Sequence, residues 1–217
     1  KSAKEGEEAC LKNYSVLSLM ENLGKPVVCA MNGLAFGGGN EIAMACTARI
    51  AKKGQKVLVG QPEPKLGFIP GAGGTQRLPR LIGIEKAWPI LRNSNPISST
   101  GAKEIGLIQE EVEGDLIEVG VNWVKNILSE KVKVPSIPKG PIPIPTKLPE
   151  VDIGHLSRKI DLLLQKAILE GAKMTLEDGL KLEAKIFGEC FSTQDRKIGI
   201  DNFMKNGPKV NANFVHG

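Results

Sequence analysis

Aromatic residues are scarce, with six Phe, two Trp and one Tyr in 217 positions. Stacking surfaces for nucleic-acid bases are therefore poorly supplied, and the lysines are scattered rather than run together, so nucleic acid is not an expected partner. Histidine is rarer still: only His155 and His216 occur. Acid–base chemistry in the first half of the chain then falls to carboxylates, lysines or the backbone. Four cysteines (Cys10, Cys29, Cys46 and Cys190) are widely spaced with no CxxC pair, which excludes a zinc ribbon or a disulfide scaffold and suggests reduced, buried thiols. No metal site is expected. No apolar run approaches 18 residues, so no membrane-spanning helix is expected, and reduced thiols fit an expected cytoplasmic location.

What the chain does have is glycine, 25 of 217 residues, well above the usual ~7%. Backbone, more than large side chains, should carry the distinctive structure. The net charge of +5 permits an anionic partner, and the length suffices for a real core.

Residues 1–24 have helical spacing through Cys10, Tyr14 and Leu17, ending at Gly24 before Pro26. Val27–Met31 is a short apolar run suited to a strand covered on both faces. Helices are expected from Asn40 to Cys46 and from Gly74 to Leu81, short strands at Ile50, Val57–Val59 and Leu107–Val112, and mostly helix elsewhere between 85 and 130. Residues 135–149 hold six of the fourteen prolines and read as a stiff connector. Helices near 155–171, 175–190 and 195–206 follow. No internal repeat is visible.

Two charge-poor stretches stand out. From Pro26 through Ala48 the one charged residue is Glu41, three positions after Gly37-Gly38 and directly after Gly39-Asn40. A lone carboxylate in such a run is poorly solvated, which raises its pKa toward neutrality. The same position would also suit a first-turn carboxylate that complements the helix dipole. The glycines allow close approach of a ligand to free amides at a helix N-terminus, where an oxyanion or phosphate is stabilised; close helix–strand packing is the alternative. From Val57 through Gln76 the charges are Glu63, set between Pro62 and Pro64, and Lys65. Gly71-Ala72-Gly73-Gly74 then supplies a second set of amides. Two isolated glutamates, each beside a glycine-rich amide source, form a candidate acid/base pair if they meet in space.

The segment Lys25-Pro26-Val27-Val28-Cys29-Ala30-Met31-Asn32-Gly33-Leu34-Ala35-Phe36-Gly37-Gly38-Gly39-Asn40-Glu41 resembles the central signature of the crotonase (enoyl-CoA hydratase/isomerase) superfamily. So do Gly60–Glu63 and Gly67–Leu78, and Phe187, Phe191, Thr193, Asp195, Gly199, Ile200 and Phe203 resemble its closing helices. The resemblance implies an α/β fold: part of a crotonase-like ββα spiral over 1–134, the connector at 135–149, and a helical trimerisation region at 150–217. It implies hydration of a trans-2-enoyl-CoA to a 3-hydroxyacyl-CoA. Glu41 would activate water, Glu63 would protonate Cα, the Gly38 amide would hold the thioester oxyanion, and the Gly71 amide would help to hold the water. Gly37 and Gly38 would contact substrate, and Phe203 and Lys205 would reach the coenzyme A site of a neighbouring subunit. No cofactor is implied, because coenzyme A is part of the substrate.

Self-association as a trimer or a dimer of trimers is implied as well. Residues 1–24 match what in the family follows the loop supplying the other oxyanion amide, so the chain is expected to be a fragment that works with a companion N-terminal segment. Asn40 beside Glu41 and the proline insertion leave room for a second reading, an isomerase, hydratase or hydrolase of dienoyl- or cyclic acyl-CoAs. An RNA-binding homologue is a third.

Overall fold

In a computed structural model, which describes residues 2–217, the chain begins with α1 (Ala3–Glu21). Ser2 caps it, exchanging hydrogen bonds with Glu5 in a capping box. Lys1, the first residue of the expected helix, lies outside the described residues. The buried stripe Gly6, Cys10, Tyr14 and Leu17 has helical spacing, as expected.

A repeat then emerges that has no counterpart in the sequence. β1 (Val28–Met31), β2 (Ala35–Phe36) and α2 (Gly38–Ala45) form one ββα unit. β3 (Ala48–Lys52), β4 (Val59–Gly60), a 3-10 turn (Glu63–Leu66) and α3 (Gly74–Ile82) form the next. Successive units stack, so equivalent strands pair in parallel: β1 with β3 (Val28 opposite Ala48) in one sheet, and β2 with β4 (Ala35 opposite Val59) in the other. A third turn adds β5 (Glu110–Val112) beside β3. The strands are two to five residues long. Strands this short leave little side-chain pattern, so β2 was not expected and the repeat is invisible in the residues. Because α2 and α3 occupy equivalent places in consecutive turns, their N-termini come together. That stacking creates the site.

α4 (Ile84–Asn93), α5 (Ser99–Glu104, capped by Ser98) and α6 (Leu116–Leu128) complete the spiral half. The tail consists of α7 (Arg158–Gly171), α8 (Leu176–Cys190) and α9 (Gln194–Asn206). Its apolar stripes are filled within the chain. Ile160, Leu164 and Ile168 of α7 and Ile186 of α8 join Met31, Met44, Leu58 and Leu78 in one core cluster. Some apolar residues, such as Leu162 and Met204, stay exposed. The proline connector behaves as a strap rather than a spacer. Polyproline-like backbone has unpaired groups, and here the Ile142 amide donates to the Ala172 carbonyl at the end of α7 while Leu176 N donates to Lys139 O. Buried ion pairs, Arg77 with Glu21 (2.9 Å) and Arg92 with Asp161 (2.7 Å), tie α3 to α1 and α4 to α7.

Candidate active site

Gly37 precedes α2 with φ +53°, a backbone region that disfavours side chains. Its amide donates to Gly60 O, and a Cβ built on it would lie 2.5 Å from Glu63 Oε1. Glycine is required here because the Glu63 carboxyl rests against the main chain. Gly38 is the first residue of α2, where the helix offers its amide no acceptor. A Cβ on Gly38 would meet nothing within 4 Å, so open space lies above it.

Glu41, one turn on, is 2% exposed. Its Oε1 accepts from Ala72 N (2.8 Å) and Gly74 N (2.7 Å) in the glycine turn that opens α3. The intervening amides turn the other way. Gly73 N (2.7 Å) and Thr75 N (2.9 Å) donate to Glu183 of α8, which also accepts from the hydroxyls of Tyr14 (2.7 Å) and Thr75 (2.5 Å). Gly73 has φ +100°, and that left-handed step sends successive amides to opposite sides.

Glu63 sits in the 3-10 turn fixed by Pro62 and Pro64. Its Oε2 is buried without a partner, as are Asn40 Oδ1 and Gln61 Nε2, although Asn40 Nδ2 donates to Gln61 Oε1 at 3.3 Å. Three unpartnered buried atoms near two glutamates mark a place for a polar ligand or water. Burial raises the proton affinity of both glutamates, and that of Glu41 further through the nearby Glu63 charge. Glu63 is pushed up to about 7. The amides on Glu41 oppose the effect there by favouring its charged form. Like charges on neighbouring carboxyls oppose one another, so the charge of Glu63 favours the protonated form of Glu41.

The structure therefore brings together Glu41, Glu63, Gly37 and Gly38. Gly71 opens the same glycine turn, one residue before the first amide that binds Glu41. The amides on Glu41 belong to Ala72 and Gly74, and glycine at 71 answers to packing: a Cβ there would lie 2.8 Å from the Phe187 ring and 3.0 Å from Cys10 Sγ. Phe203 lines a cavity of about 340 Å³ with Phe36, Pro62, Leu66, His155 and Val210. Phe36 and Pro62 directly precede Gly37 and Glu63 in the chain. Lys205 is not on that wall; Lys65 is. Three residues escaped sequence reasoning: Gln61, Glu183, and His155, which the tail returns to the cavity although it is 92 residues from Glu63 in sequence. Three cysteines are buried, Cys29 is half-buried, and all four are free thiols. No described helix is long and apolar enough to cross a membrane.

The raised Glu63 has a consequence for stability. Between its ordinary value near 4.5 and about 7 the folded chain keeps a proton that the unfolded chain has released. Stability from this group is complete below that window and is lost as pH rises through it. Glu63→Gln does not titrate, so its stability relative to wild type should rise across the window by up to about 3 kcal/mol. Denaturant midpoints of both proteins on either side of the window measure this; a difference independent of pH would show that Glu63 is not raised.

The enoyl-CoA hydratase/isomerase family pattern matches residues 2–135. The chain is 35% identical to a crotonyl-CoA hydratase of Syntrophomonas wolfei over 99% of its own length and 71% of that protein's. It is also 35% identical to a short-chain-enoyl-CoA hydratase of Clostridium acetobutylicum, covering 93% of this chain and 67% of the relative. Among solved structures, an enoyl-CoA hydratase from Bacillus anthracis superposes with a TM-score of 0.54 at 30% identity, covering 98% of this chain and 72% of that one. The likeness extends past the spiral into the helical tail, and the chain belongs to the enoyl-CoA hydratase/isomerase family.

Proposed function

We propose that this site adds water across the double bond of a trans-2-enoyl-CoA to give a 3-hydroxyacyl-CoA. The observation that carries the reading is the buried glutamate pair, Glu41 and Glu63, at the glycine-opened N-terminus of α2. Both amide bonds to Glu41 fall on Oε1, which leaves Oε2 for a water. In the reaction Glu41 takes a proton from that water as its oxygen attacks Cβ. Electron density moves onto the thioester oxygen, where the Gly38 amide and the α2 dipole stabilise it. Glu63 delivers the proton to Cα, for which it must begin protonated, and burial supplies that state near neutral pH. One water is consumed, and the proton Glu63 gives up is balanced by the one Glu41 accepts. The apolar cavity beside Phe36 and Phe203 suits the acyl chain.

The test is a panel of enoyl-, dienoyl- and cyclic acyl-CoAs assayed with the intact protein. The expected result is loss of the conjugated enoyl-thioester absorbance, fastest with a short trans-2-enoyl-CoA, and a 3-hydroxyacyl product. Turnover of only dienoyl or cyclic substrates would replace this reading with the second one.

A further inference from the structure

We infer that Glu183, on α8, is a positioning residue for the reaction proposed above: it holds the Gly73 and Thr75 amides of the turn whose alternate amides, from Ala72 and Gly74, hold Glu41. The inference rests on the hydratase reading but concerns a residue that reading does not use. Four consecutive amides, 72 through 75, are divided between two carboxylates on opposite sides of one backbone turn. Moving the turn toward or away from α8 therefore moves the amides that aim Glu41.

Glu183 is suited to this work in a way a neutral side chain is not. It is 0% exposed and accepts from four donors, two amides and the hydroxyls of Tyr14 and Thr75. Both of its oxygens are used. Glutamine there would point an NH2 group at two of those donors, leaving buried polar groups unmatched.

The charge also reaches the site. Around Glu183 lie Cys10 and Tyr14 on α1, Glu41 on α2, Glu63 in the 3-10 turn and Arg77 on α3. Arg77 is committed to Glu21 and to Ala72 O. α7 meets the junction through Ala167 O, which accepts from Gln76 Nε2, and through Gly171, where a Cβ would collide with the Gln76 amide. Burial raises the proton affinity of Glu183 too, while its four donors favour the charged form; in that form it raises the proton affinity of both Glu41 and Glu63. Removing it should let both ionise at lower pH.

The experiment compares wild type, Glu183→Gln and Glu183→Asp in the intact protein. Glu183→Gln should lower kcat on crotonyl-CoA by about 10–100-fold with KM nearly unchanged. It should also move the acid limb of the pH profile down by about one unit. Glu183→Asp keeps the charge and should restore the wild-type limb and part of kcat. An unmoved limb in Glu183→Gln, or equal losses in kcat and KM, overturns the inference.

Should Glu183→Gln fail to fold, the Tyr14→Phe, Thr75→Val double variant strips the two hydroxyl donors and leaves the amides. It should lower kcat without raising KM, and an unchanged kcat would overturn the inference. Infrared titration of the Glu41 carboxyl, identified by its loss in Glu41→Gln, separates the two proposals. If wild type leaves enoyl-CoA intact but the Glu41 midpoint still falls in Glu183→Gln, the hydratase reading fails and only the coupling of Glu183 to Glu41 stands. If wild type hydrates and the midpoint does not move, the positioning role fails alone.

Discussion

Glu41→Gln and Glu63→Gln are each expected to lower kcat for crotonyl-CoA hydration by about 10²–10⁴-fold while leaving KM within a few-fold. Glutamine matches glutamate in shape, so neither change should disturb the fold. At position 41 the amide oxygen can still accept from Ala72 N and Gly74 N, so the side chain stays aimed while losing its ability to take a proton from water. At position 63 the carboxyl that would deliver the proton to Cα is gone, while the neutral glutamine is well tolerated where burial already disfavours charge. The losses should not multiply in the double variant, because the two groups act in one proton-transfer cycle. Steady-state rates on the three variants decide the matter. Near-wild-type turnover in either single variant would mean that the two-glutamate mechanism is wrong.

Gly38→Pro is expected to cost about 10²–10³-fold in kcat, the usual loss for one oxyanion donor. Proline suits the first position of a helix and removes little besides the N–H. No atom beyond the chain neighbours lies within 4 Å of a Cβ at Gly38, so the methyl of Gly38→Ala meets no clash with the fold. Gly38→Ala is the companion measurement. It keeps the amide and should retain most of the activity if the substrate leaves room for a methyl group. A Gly38→Pro variant as active as Gly38→Ala would remove the Gly38 amide from the mechanism. Far-ultraviolet circular dichroism and thermal melting check that both variants remain folded.

Much of this site was legible in the residues because its signals are local. Glu41 and Glu63 stand out as rare charges in apolar, glycine-rich stretches, and that isolation does correspond to burial. Gly37 had to be glycine for a reason read partly from sequence, since its positive φ is local. Its other reason, the Glu63 carboxyl resting against it, is not local. Gly71 likewise has a reason for being glycine that is not local. A glycine in a Gly-Ala-Gly-Gly run looks like an amide source, and only the packed Phe187 ring and Cys10 thiol show why that position has no side chain. Glu183 carried a readable signal that was passed over. It falls on the buried stripe of α8 with Leu176, Leu180 and Ala184, where a solvated charge does not belong.

The sequence by itself determined most of the helices, the glycine-opened turns and the isolation of Glu41 and Glu63 in apolar stretches. Those features depend on residues within a turn or so of one another. The tertiary structure alone decided what the carboxylates touch. Glu41 meets amides 31 and 33 residues away, and Glu183 meets amides 110 and 108 residues away. Such contacts follow from stacking one ββα turn on the next and folding the tail back over both. Parallel pairing of strands two to five residues long leaves too little periodic pattern in a chain for that stacking to be read in advance.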